Sequence, residues 1–139
     1  MLANEYQKLA MRTNDGKCTE RLCEKISEHI EVTEDVCHEI LIHNKYIDLG
    51  GIINASFGLS GEVGELNDIL KKWIFHGHLP DVIAVVKELG DILWYVALMC
   101  ESLKIPMEEV MGMNIDKLKA RYPEGFDPEK SLHRKDGDI

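Results

Sequence analysis

No stretch of this chain alternates polar and apolar residues with a period of two, which argues against a sheet. Basic residues are in deficit, 16 Lys and Arg against 25 Asp and Glu, for a formal net charge of −9. Such a surface does not suit general nucleic-acid or anionic-membrane binding. A small phosphorylated substrate stays open, because a bound cation reverses the local field. Cys18, Cys23, Cys37 and Cys100 contain no Cys-x-x-Cys pair, so reduced thiols packed as small apolar groups in a cytosolic protein are favoured. Zinc on Cys18, Cys23, Cys37 and His38 is the alternative. Met1 to Lys8 lacks the apolar core of a signal peptide. The stretch from Asp81 to Cys100 is apolar, but Lys87, Glu88 and Asp91 in its middle argue against a membrane span. There is no internal repeat and no low-complexity tract.

What remains reads as helix. With 139 residues, 45% of them hydrophobic, the chain suits a single all-α domain over 1–139, an antiparallel helix bundle. Leu2, Tyr6 and Leu9 mark a short first helix ending near Asn14-Asp15-Gly16. Thr19 is placed to cap a second helix with Leu22, Ile26 and Ile30 on one face. Thr33 would cap a third, carrying Val36, Ile40, His43 and Ile47. Gly50-Gly51 reads as a break. A fourth helix is expected from Ile52 to Phe75, a fifth from Asp81 to Ser102, and a last from Met107 to Arg121. The segment 127–139 reads as a flexible tail.

Two acidic pairs stand out, Glu62-x-x-Glu65 and Glu88-x-x-Asp91. Residues three apart on a helix share a face, so each pair points its carboxylates one way. Antiparallel packing of the two helices would bring four carboxylates together. At an effective dielectric of about 20, two such charges roughly 4 Å apart repel by about 4 kcal/mol. The cluster therefore calls for cations, and carboxylate oxygens without Cys or His suit Mg²⁺, with Mn²⁺ as the alternative. Both pairs fall on stripes that apolar neighbours mark as core-facing: Leu59, Leu66 and Ile69 on one helix, Val85, Ile92 and Met99 on the other. The competing reading is neutralisation by Lys71, Lys72 or Lys87. Gly58, Gly61 and Gly64 surround the first pair and indicate either close helix packing or room left for a ligand.

On the last helix Met107, Val110, Met111 and Leu118 mark a buried side, with Asn114, Lys117 and Arg121 along its edge. These could hold phosphate oxygens opposite the acids, although Arg121 equally suits a helix C-terminus. Trp73 could stack on a base but is more simply a core residue, and His76 and His78 are taken as solvated turn residues.

The chain resembles the MazG-like nucleoside triphosphate pyrophosphohydrolases, within the all-α NTP pyrophosphatase group that also contains dimeric dUTPases. The resemblance rests on Gly58-Leu59-Ser60-Gly61-Glu62-Val63-Gly64-Glu65-Leu66 followed by Lys87-Glu88-Leu89-Gly90-Asp91-Ile92-Leu93-Trp94-Tyr95. The Lys71 to His78 turn, the Asn114 to Pro123 ending and, more weakly, Tyr6-Gln7 also match. Between Asp15 and Gly51 the chain departs, being longer and more polar. The resemblance implies Mg²⁺ held by Glu62, Glu65, Glu88 and Asp91, with Glu62 or Glu65 activating a water. It implies substrate contacts from Tyr95, Asn114, Lys117 and Arg121; Lys72, on the same stripe as Glu62 and Glu65, is expected to offset phosphate charge beside them. The implied reaction is hydrolysis of a nucleoside or deoxynucleoside triphosphate between the α and β phosphates. The implied assembly is a cytoplasmic homodimer or homotetramer acting on free nucleotides, with no membrane and no polymeric nucleic acid. Two rivals are a non-catalytic helical module and a di-metal carboxylate oxidoreductase. The latter usually needs a Glu-x-x-His motif, and no His lies on either stripe.

Overall fold

The computed structural model describes residues 1–29 and 47–133. In chain order they form α1 (Ala3–Ala10) with a 3-10 turn (Met11–Thr13), α2 (Cys18–His29), α3 (Leu49–His76) and α4 (Val82–Leu103). Then come α5 (Met107–Arg121) and α6 (Pro128–Leu132). Among the described residues there is no strand, as the missing period-two pattern requires. The fold is an all-α bundle. No helix among them is long and apolar enough to cross a membrane.

The long pair α3 and α4 is the main packing unit. Gly77, in the left-handed conformation at φ 72°, ends α3, and the Asp81 side chain caps α4 by accepting from the Ala84 N–H at 2.9 Å. The tight connection forces the two helices antiparallel, and Gly51 lies by Ser102 while Gly58 lies by Tyr95. This register sets Glu62 and Glu65 opposite Glu88 and Asp91. The core sits at the end away from the connection, where Ala55, Ala97 and Leu98 are fully buried. There α2 packs on α3 and α1 packs on α4. Cys18, Cys23 and Cys100 are buried free thiols, as expected of small apolar groups; Cys37 and His38 lie outside the described residues.

Four expectations change. Gly50-Gly51 is no break: both glycines lie in the first turn of α3, whose N-cap is Asp48. Thr19 stands inside α2, and its hydroxyl serves α3 instead, donating to Asp48 and accepting from the Gly50 N–H at 2.8 Å. Of the apolar face assigned to the last helix only Met107 is buried; Val110, Met111 and Leu118 are exposed. Within the expected tail, Pro128–Leu132 forms a short helix capped by Asp127. The helix expected after Thr33 falls on 30–46, outside the described residues.

Candidate metal centre

One carboxylate oxygen from each of Glu62, Glu65 and Glu88 lies within 4.8 Å of the other two. Glu62 and Glu88 are half-buried and Glu65 is exposed. Asp91, also exposed, does not join this triad. It borders a cavity of about 310 Å³ together with Glu62, Trp94 and Tyr95. A second cavity, of about 430 Å³, opens on the other flank and is lined by Gly61, Gly64, Glu65, Asp68, Ile69, Lys72 and Glu88. The structure thus gathers three of the four expected ligands and sets the fourth beside them.

Lost hydration pushes the Glu62 carboxyl above its ordinary range, helped by the charges of Glu65, Asp91 and Glu88 and a hydrogen bond to Glu88. None of Lys71, Lys72 and Lys87 relieves it among the described residues. Lys71 and Lys72 both pair with Asp68, Lys72 at 2.6 Å, and hold that carboxyl down to about 2. Lys87 pairs with none of the four acids among the described residues. Neutralisation by these three lysines is therefore not how the triad is accommodated. Oxygen-only donors gathered this closely are the chemistry that a hard divalent cation takes.

The glycines around the acids divide between the two roles expected of them. A Cβ on Gly58 would overlap the Tyr95 ring, so close approach requires glycine there. Gly61 and Gly64 face open space and line the wider cavity. Tyr95 is braced edge-on by Trp94, ring centroids 4.9 Å apart. The Trp94 indole N–H donates to the Ala10 carbonyl at 3.1 Å and to the Thr13 hydroxyl at 2.9 Å. From α1, the Tyr6 hydroxyl donates to the Gly90 carbonyl at 3.4 Å, beside Asp91. Burial, and then the Asp91 charge, raise its phenol pKa.

Lys72 and Tyr95 stand on opposite flanks of the acids. Asn114, Lys117 and Arg121 line neither cavity, because α5 packs mainly on α1. Trp73 is not a core residue: it is 45% exposed and lines an apolar cleft with Ile69, Leu70, Pro80, Val82 and Val85 near the α3–α4 connection. His76 and His78 are exposed, as expected. Sequence reasoning missed Asp68. Its spacing held the signal, since it follows Glu65 by one helical turn and precedes both lysines by another.

Fold and site together define a helical bundle carrying a carboxylate cluster on its longest helix pair. The MazG nucleotide pyrophosphohydrolase domain matches residues 54–126, over half of the chain; the chain belongs to that family. It is also similar to the Gene 37 protein of Mycobacterium phage L5, 29% identical over 107 residues that cover 70% of this chain and 91% of that protein. No solved structure matches.

Proposed function

We propose that this single-domain chain is a Mg²⁺-dependent nucleotide pyrophosphohydrolase. It converts a nucleoside or deoxynucleoside triphosphate into the monophosphate and pyrophosphate. The carrying observation is the triad of Glu62, Glu65 and Glu88 within 4.8 Å, with Lys71 and Lys72 committed to Asp68 instead. These three, with Asp91, would hold the cation. When bound, Mg²⁺ supplies charge neutralisation at the phosphates and acidifies water. Water attacks the α phosphorus, the bond to the oxygen bridging to the β phosphorus breaks, and pyrophosphate leaves. Either Glu62 or Glu65 takes the water's proton. Lys72 faces the cavity that Glu65 and Glu88 share, where it can exchange Asp68 for a phosphate oxygen. Tyr95 closes the opposite flank. Buried reduced thiols at Cys18, Cys23 and Cys100 suit a cytoplasmic setting.

Asn114, Lys117 and Arg121 supply further phosphate contacts from α5. On α4, Val82, Val86, Leu89 and Leu93 are exposed at helical spacing, and Val110, Met111 and Leu118 are exposed on α5. A homodimer or homotetramer covers these faces. Analytical ultracentrifugation should show a dimer or larger; a monomer at working concentration would remove this part of the reading.

The deciding assay is pyrophosphate release from a nucleotide panel with Mg²⁺, against a control in chelator. Metal should also act on stability. Glu62 holds its proton to higher pH when folded than when unfolded, so its contribution to stability falls as pH rises from the ordinary carboxylate value through the raised one. Bound metal removes that loss. At a hundredfold excess over its Kd, Mg²⁺ adds about 2.7 kcal/mol, or about 5–10 °C in Tm, at about pH 8. At about pH 5, where protons compete for the same oxygens, the gain should be clearly smaller. Equal gains at both values, read by scanning calorimetry, would show metal binding elsewhere.

A further inference from the structure

We infer that α1 registers α5 against the metal centre, and that Asn4 and Gln7 are positioning residues for the nucleotide contacts carried on α5. The inference rests on the hydrolase reading above and adds residues that lie outside the family-matched span.

The start of α5 cannot satisfy itself. Its N-cap is Pro106, which makes no side-chain cap, so the first-turn N–H groups need acceptors from elsewhere. They find them on α1. Gln7 Oε1 accepts from the Met107 N–H at 2.8 Å, and Asn4 Oδ1 accepts from the Glu108 N–H at 3.1 Å. Both amides also use their donors: Gln7 toward the Ile105 carbonyl and Glu101, Asn4 toward the Glu108 carboxylate at 2.8 Å. Gln7 is buried, so its bonds are shielded from water.

The same short helix is pinned to the acidic turn. Tyr6 donates to the Gly90 carbonyl, and Trp94 donates to Ala10 and Thr13 at the end of the α1 segment. One face of α1 therefore reads two places on the chain, the Glu88-x-x-Asp91 turn and the first turn of α5. Since α5 packs mainly on α1, the direction in which it carries Asn114, Lys117 and Arg121 is set there.

The test compares wild type, Asn4→Ala/Gln7→Ala and a Lys8→Ala control on the same helix. In the double variant KM for the best nucleotide should rise about tenfold, with kcat within about twofold. Mn²⁺ affinity without nucleotide, read from the free-ion EPR signal, should not change. Amide hydrogen exchange should accelerate at 107–111 and stay unchanged at 58–70 and 85–98. A folded double variant with wild-type KM overturns the inference. So does a fall in kcat together with Mn²⁺ affinity at constant KM, which would place the action of α1 on the acids. If wild type turns over no nucleotide, the hydrolase reading fails on that result alone. Unchanged exchange at 107–111 then overturns the registering role separately.

Discussion

Glu88→Gln is expected to cut turnover about a thousandfold and, in chelator, to raise the thermal midpoint by about 2–4 °C. The two effects have one cause. Glutamine keeps the shape of the side chain and its hydrogen bond to Glu62 but removes a negative charge from a triad within 4.8 Å. Full Coulomb repulsion between neighbours would be about 4 kcal/mol, but these groups are half-buried at most and solvent screens them, so about 1 kcal/mol is relieved. Without that charge the cation loses a ligand and the reaction its neutralisation. Calorimetry in chelator and a pyrophosphate assay on the same preparation measure both. A lower midpoint in chelator would mean that Glu88 holds the fold together, and the acids would lose their standing as a site kept at the expense of stability.

Gly50→Ala should destabilise the protein by about 3 kcal/mol, the largest single stability effect expected outside the core. Gly50 meets the backbone of Cys18 and Thr19, and an added Cβ would overlap both. Backbone cannot swing aside as a side chain can. Separating α2 from α3 would also break the Thr19–Asp48 and Thr19–Gly50 bonds. Gly61→Ala, on the same helix but facing open space, should stabilise by about 0.5–1 kcal/mol through helix propensity alone. Urea midpoints for the pair give the contrast directly. Equal effects would show that the α2–α3 contact does not govern stability.

The long helices were legible because their signals are local. Asp81, Gly77 and Pro106 delimit α4 and its neighbours by backbone chemistry that needs no tertiary knowledge. Glu62 and Glu88 were findable because helical spacing plus antiparallel packing brings them together. The misreadings share the opposite origin. Gly50 and Gly51 look like a break until α2 is seen lying against them, and Thr19 looks like a cap for its own helix until Asp48 arrives from 29 positions away. Val110, Met111 and Leu118 follow the periodicity of a buried face, yet they are exposed among the described residues. Asp68 escaped notice because an acid among lysines reads as ordinary surface, and only the cavity it lines sets it apart.

The brace formed by α1 also fixes an order of events at the ribosome. Asn4, Tyr6 and Gln7 emerge well before their partners, which follow 84 to 104 positions later. Such distant pairings form late, after nearer ones have closed. α1 is thus made well before it can dock fully, and a nascent chain halted before Met107 leaves the side-chain oxygens of Asn4 and Gln7 without their α5 donors.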